Sequence, residues 1–298
     1  MKALSGIWTP TLVPLDGRGR INEAELRRFI DWLIESGVHG LFPNGSTGEF
    51  TRLTSEERRL IAAITCDQAK GRVPVVVGCA EVSIDETLKA AETYRALGAR
   101  AVAVVAPFYF PLKPPAVLEY FKQLAEGATI DILLYNMPLF ANPIALKSIE
   151  QLAELPRIIG IKDSSGDLPF MMRMIANIRP KRKDFTFLTG WDPLLVPMML
   201  AGATGGVNAT SDVAPELMRR MYDVFIAGNL EEAMRLQLQV LRLFDRLFAD
   251  QNFPDGFRMG VGARGFDFGC GRQPSGVAVA AASTQAMLAE IVELSRIQ

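Results

Sequence analysis

Histidine is nearly absent: the 298-residue chain has one, His39. That excludes an HExxH zinc site, which needs two on one helix, and any multi-histidine metal cluster, so no metal is expected. A serine triad would have to recruit His39, and no G-x-S-x-G elbow precedes a helix. Cysteine is scarce as well. Cys66, Cys79 and Cys270 are odd in number, widely spaced and outside any C-x-x-C pattern. They read as reduced thiols of a cytoplasmic protein. No apolar run approaches the roughly 18 residues of a membrane span, so no membrane partner is expected. The N-terminal stretch breaks at Pro10 and Pro14 before any long apolar region forms, which argues against a signal peptide. Charge of one sign is missing too: 32 basic residues face 33 acidic ones. Without a basic patch, nucleic acid is not an expected partner. Chemistry here must run on lysine, tyrosine, serine, threonine, cysteine or carboxylates.

What is present is a regular alternation. The chain is 49% hydrophobic, enough for one large domain or two ordinary ones. Short apolar runs fall at 7–15, 38–44, 73–79, 101–108, 130–136, 157–163, 184–190 and 204–210. The central ones are continuous in Val, Ile and Leu, as parallel strands buried on both faces require. Amphipathic segments lie between them. The first carries Leu26, Phe29, Ile30, Leu33 and Ile34 at helical spacing. Asn22 with Glu25, Thr54 with Glu57 and Ser83 with Glu86 have capping-box spacing. Gly37, Gly98, Gly202 and Gly228 stand where helices end. Eight βα units predict a (β/α)8 TIM barrel over 1–228; an open doubly wound sheet is the alternative. Residues 229–298 are expected as a C-terminal helical extension: a long helix over 229–250, a glycine-rich loop from Phe253, and a last helix over 283–296. "GVGARG" (260–265) matches G-x-G-x-x-G, but no strand precedes it and no acidic residue follows at the right distance, so it is read as coincidence.

Barrel chemistry sits at the C-terminal ends of strands. There the sequence places "NGSTGEF", "APFYF", "LLYNMP" and "IKDSS". A lysine directly after Ile158-Ile159-Gly160-Ile161 breaks an apolar strand. Lys162 is either a strand-end lysine reaching solvent or a Schiff-base nucleophile: loss of hydration disfavours the charged form, and a free amine attacks a ketone. Tyr135 is either a core aromatic or a phenol that relays protons. The turn 44–49 is either an ordinary tight turn or an anion nest holding a carboxylate at Ser46 and Thr47.

Together "GSTGE", "APFYF", "LLYNMP", "GIKDSSGD", "LTGWD" and "GGVNAT", in order and spacing, resemble the dihydrodipicolinate synthase / N-acetylneuraminate lyase family of class I aldolases over essentially the whole chain. The resemblance implies a barrel with a C-terminal helical segment, a homotetramer, and no metal or organic cofactor. It implies Lys162 as the imine-forming lysine and Tyr135 as the proton relay. Ser46 and Thr47 would bind the pyruvate carboxylate, with Thr47 also in the relay. Tyr109 would be the tyrosine contributed across a subunit interface, and Gly190 and Val207 would line the lysine pocket. Phe108, Phe140, Asp192 and Asn208 are expected around the distal half of the substrate.

The chain departs from the synthase pattern after Tyr135. Phe140 stands where the synthases carry an arginine that grips the aldehyde's carboxylate, and Asn142 replaces a glycine. A phenyl ring cannot pair with a carboxylate. Lysine followed by Asp163 is closer to aldolases and dehydratases of 2-keto-3-deoxy sugar acids. The expected function is therefore an imine-forming lyase on a 2-oxo acid, favouring the sugar-acid type. The synthase reaction and a non-catalytic barrel that binds a 2-oxo acid remain as alternatives.

Overall fold

A computed structural model describes residues 3–249, 252–272 and 281–296. The eight strands are β1 (Gly6–Thr9), β2 (Gly40–Leu41), β3 (Val76–Gly78), β4 (Ala101–Val105), β5 (Ile132–Asn136), β6 (Ile158–Asp163), β7 (Thr186–Thr189) and β8 (Gly205–Val207). All pair in parallel, in the order β2-β1-β8-β7-β6-β5-β4-β3. A parallel bridge between Leu41 and Val75 joins the two ends of that order. The sheet is the expected TIM barrel, not an open doubly wound sheet.

Helices follow the strands: α1 (Glu23–Glu35), α2 (Ser55–Ala69), α3 (Ile84–Ala96), α4 (Pro114–Gly127), α5 (Leu146–Leu152), α6 (Leu168–Ile178), α7 (Leu195–Leu200), then α8 (Thr210–Val213) and α9 (Pro215–Ile226) after β8. The predicted caps form in part. Thr54 and Glu57 make the full reciprocal box, whereas the Asn22 and Ser83 side chains each accept from the backbone three residues on without a reciprocal bond. Gly37, Gly98, Gly202 and Gly228 all have positive φ, the left-handed exit that glycine adopts without a Cβ clash. The strands are shorter than the apolar runs. The run at 7–15 yields β1 only to Thr9, because Pro10 has no N–H to continue a ladder.

Period-two alternation sorts the core. One cluster fills the barrel interior, with Trp8, Phe42, Ala101, Ala103, Leu133, Leu188 and Val207. The alternate positions, such as Val102, Val104, Ile132, Leu134 and Ile161, pack outward with the helices. Gly160 is on the inner face, where a Cβ would lie 2.4 Å from Cβ of Thr186 on β7. The same alternation carries Tyr135 and Lys162 inward at the mouth, where they are register partners across β5 and β6.

Beyond the barrel run α10 (Leu230–Phe248), α11 (Asp255–Ala263) and α12 (Ala281–Ser295). The predicted long and last helices are present within a few residues. The glycine-rich loop is corrected: its first part is α11, with Phe257 and Val261 fully buried. Its glycines answer to packing. A Cβ at Gly256 would lie 1.8 Å from the Leu247 carbonyl oxygen, and one at Gly260 would meet Val213 and Leu247 side chains at 2.8 and 2.9 Å. Close approach to α10 outweighs the roughly 1 kcal/mol that a glycine costs a helix interior. "GVGARG" begins inside this helix rather than after a strand. Among the described residues, no helix is long and apolar enough to cross a membrane.

Candidate active site

Lys162 ends buried, 4% exposed, on the inner face of β6. Its Nζ lies 4.1 Å from the Tyr135 ring centroid and 4.7 Å from that of Phe42. No carboxylate makes an ion pair with it among the described residues, so the reading of Lys162 as a strand-end lysine reaching solvent or an acid is not met. The Tyr135 hydroxyl is 3.2 Å from Ser46 Oγ. Ser46 and Thr47 come from the turn after β2, which ends on Glu49 in the left-handed conformation. Glu49 is anchored from two sides: Arg52 donates to it at 3.0 Å, and Arg258 of α11 at 2.5 Å.

These groups surround a cavity of about 490 Å³ at the C-terminal mouth. Ser46, Thr47, Tyr135, Lys162, Gly190, Asp192, Val207 and Phe140 all line it, as the sequence leads one to expect. Three of the expected residues do not: Phe108 lines a neighbouring chamber instead, and Tyr109 and Asn208 lie elsewhere. Tyr109 lies on the loop after β4, 89% exposed, with φ of 77° and its ring edge-on to Phe110 at 4.9 Å. Within a single chain it contributes nothing to the Lys162 cavity. Asn208 is fully buried behind the wall, where its Nδ2 donates to Asp192 Oδ2 at 3.3 Å. Asp192 is itself 1% exposed and also accepts from the Thr210 backbone N–H at 2.6 Å. Burial raises its carboxyl above the ordinary range, and those two hydrogen bonds oppose the rise.

Behind the inner face, Asp163 points the other way. It is fully buried and accepts from Asn136 Nδ2 and from Ser165 Oγ, each at 2.6 Å. Burial raises this carboxyl too, against the pull of both donors. Asn136 Oδ1 in turn accepts from Ile144 N–H at 3.0 Å, tying down the loop that carries Phe140. Asn142, the other departure in this loop, is a brace. Its Nδ2 donates to the carbonyls of Pro107 and Phe110 at 2.6 and 2.8 Å, and its Oδ1 accepts from Leu112 N–H at 2.7 Å. The segment carrying Tyr109 is thereby fixed.

Sequence reasoning missed Ser164, Met137, Leu139, Trp191, Phe244, Phe248 and Phe253, all of which line the cavity. Ser164 had a signal: two residues past Lys162, it continues the inward face. Phe248 and Phe253 had none, since they arrive from α10 and the segment after it. His39 lies outside the cavity, its Nδ1 accepting from Ile7 N–H at 3.1 Å. Among the described residues, no group of three or more His, Cys, Asp or Glu side chains could hold a metal ion.

The pattern of the dihydrodipicolinate synthetase family matches residues 3–293. The chain belongs to that family. It is a family of class I, Schiff-base-forming lyases. An uncharacterised DapA-like lyase of Pyrococcus horikoshii is 33% identical over 268 residues, spanning 88% of this chain and 91% of the relative. A probable 2-dehydro-3-deoxy-D-pentonate aldolase of Escherichia coli is 32% identical over 245 residues, 82% of this chain and 81% of the relative. Among solved structures, E. coli YagE of the dihydrodipicolinic acid synthase family, in complex with pyruvate, superposes with a TM-score of 0.90. It is 26% identical and 98% of each chain is covered.

Proposed function

We propose that this member of the family cleaves or forms the C3–C4 bond of a 4-hydroxy-2-oxo acid through an imine on Lys162. The observation that carries the reading is the pairing of Lys162 with Tyr135: a buried lysine without a carboxylate partner, its Nζ 4.1 Å from the tyrosine ring. The pyruvate in YagE supports a pyruvyl moiety in the same place. The substrate carboxylate rests on Ser46 and Thr47. The Lys162 amine adds to C2, and water leaves to give the imine. Tyr135, hydrogen-bonded to Ser46 and assisted by Thr47, takes the proton from the C4 hydroxyl. The C3–C4 electrons move into the iminium, giving the enamine of pyruvate and a free aldehyde. Protonation at C3 and hydrolysis release pyruvate, and condensation runs the same steps in reverse.

Two further assignments extend this reading. Tyr109 acts on the cavity of a second copy in a homo-oligomer. Its exposure and its positive φ, uncommon for a bulky residue, support a role that the isolated chain leaves unfilled. The distal half of the substrate has a sugar-acid reading, favoured by the E. coli pentonate aldolase relative. The synthase reading lacks its arginine, since Phe140 occupies that position.

Incubation with pyruvate and borohydride, followed by intact-protein mass spectrometry and peptide mapping, tests the proposal. A single adduct on Lys162 is expected, absent in Lys162→Ala. Tyr135→Phe should lower kcat by about 10²–10⁴, the range for general acid–base groups. A folded protein that gives no adduct with pyruvate would leave the non-catalytic barrel as the better reading.

A further inference from the structure

Beside the Lys162 cavity lies a second chamber, open to solvent and about 1000 Å³ with that open space included; Ser46, Met137, Phe140 and Phe253 line both. The chamber lies where the aldehyde half of a substrate must go, since the carboxylate and C2 occupy the inner end. Its character is aromatic. Phe50 and Phe108 meet edge to face at 6.1 Å, and Phe140 and Phe253 lie 6.2 Å apart. Two charged residues border it, and they answer each other. Arg52 and Glu49 pair at 3.0 Å, and Glu49 pairs again with Arg258. Asp192 and Asn208, the polar residues expected around the distal half of the substrate, bond to each other, and Asp192 also accepts from the Thr210 backbone.

Such a chamber discriminates by what it leaves unpaired. A polyol tail would meet Ser46, Thr51 and Asn252 on one part of the wall, but would give up its water without replacement along the phenylalanines, Val105, Met137 and Ala141. A tail carrying a carboxylate would find Arg52 already engaged by Glu49 and no arginine at position 140 to receive it. An aromatic tail loses little hydration and gains edge-to-face contacts with the phenylalanines.

We infer that the aldehyde half of the substrate is aromatic or similarly bulky and apolar, so that the reaction interconverts a 4-aryl-4-hydroxy-2-oxobutanoate with pyruvate and an aryl aldehyde. This rests on the imine at Lys162, and it replaces the sugar-acid reading of the distal half, which came from a relative, with one drawn from the chamber's own lining. In the cleavage direction the C4 hydroxyl proton passes to Tyr135, the C3–C4 bond breaks, and its electrons neutralise the iminium. The aryl aldehyde departs along the second chamber. The enamine takes a proton at C3, restoring the one given to Tyr135, and one water then hydrolyses the imine, balancing the one lost when it formed.

The test is condensation of pyruvate by the full chain with benzaldehyde, D-glyceraldehyde and succinic semialdehyde in parallel, each read as kcat/KM by product chromatography. Benzaldehyde should exceed both others by about 100-fold, within the range by which apolar pockets discriminate. In Phe140→Arg the ratio of succinic semialdehyde to benzaldehyde should rise by a similar factor. A wild-type preference for glyceraldehyde or succinic semialdehyde, or no turnover of benzaldehyde, overturns the inference, while a borohydride-trapped pyruvate adduct on Lys162 keeps the imine reading intact. Absence of that adduct removes both.

Discussion

Gly190 leaves room for Lys162. A Cβ at position 190 would lie 2.8 Å from Lys162 Cε and 2.0 Å from Ser164 Oγ. Neither gap admits a methyl group without displacement, and the lysine stem is walled on its other side by Phe42 and Tyr135. Gly190→Ala should therefore leave the fold intact and misplace the amine. Displacement by about 1 Å costs on the order of 10²-fold in rate. The rate of borohydride-trapped imine formation should fall by that order, with an unchanged circular dichroism spectrum. Wild-type trapping rates in Gly190→Ala would mean that Ser164 and Lys162 yield freely.

Asn142 gives a prediction about the loop rather than the lysine. Its side chain satisfies Leu112 N–H and the carbonyls of Pro107 and Phe110. Asn142→Ala removes the partner of Leu112 N–H and of the Phe110 carbonyl, while the Pro107 carbonyl still accepts from the Asn142 backbone N–H; because these bonds are only part-buried, the cost should lie near the lower end of about 1–3 kcal/mol. Because the loss is local, amide exchange at Leu112 should accelerate more than exchange in β4 or β5. Uniform acceleration would indicate global destabilisation and sink the idea of a dedicated brace.

Asp212 sets a pH dependence. It is fully buried. One carboxylate oxygen accepts from Leu12 N–H at 3.0 Å, and the other has no hydrogen-bond partner among the described residues. Burial, with Asp192 nearby, raises it well above its ordinary 3.8. The folded chain therefore keeps a proton that the unfolded chain gives up above 3.8, so this residue's contribution to stability falls as pH rises from there toward the folded value. Asp212→Asn carries no such penalty and retains an oxygen to accept from Leu12. It should melt above the wild type in mildly alkaline buffer, with the gap closing as the pH approaches 4. A gap independent of pH would rule out titration of Asp212 as its source.

The sequence exposed the barrel and the lysine for one reason. Parallel strands buried on both faces are nearly uninterrupted apolar runs, so Lys162 stands out as a break in one, and period two carries Gly160, Lys162 and Ser164 to a single face. Other features depend on relations between distant segments. The orientation of Asn208 behind Asp192 is set by a side-chain hydrogen bond across the loops after β7 and β8, which no local pattern encodes. Phe248 and Phe253 reach the cavity only because α10 folds back over the mouth, where Gln237 accepts from Val196 N–H at 2.8 Å and donates to the Asp192 carbonyl at 3.0 Å. In α11, helix formation follows from tertiary packing, so its glycines resemble a loop when read alone.

Arg258 connects that same C-terminal segment to the substrate turn. It is 5% exposed, donates to the carbonyls of Val13 and Phe268 at 2.8 Å each, and pairs with Glu49 at 2.5 Å. Glu49 closes the turn that presents Ser46 and Thr47, so a residue far along the chain holds the turn proposed to bind the substrate carboxylate. Arg258→Met fills similar volume and removes the charge. Breaking a buried pair from one side costs about 3–5 kcal/mol, and the remaining Arg52 contact should keep the loss near the lower end. The distinctive consequence is catalytic. With the turn loosened, the pyruvate concentration giving half-maximal trapping should rise, while the trapping rate at saturation, which belongs to Lys162, changes less. Denaturant melts and a pyruvate titration of borohydride trapping measure both. A destabilised variant whose pyruvate dependence matches the wild type would limit Arg258 to holding α11 against the barrel.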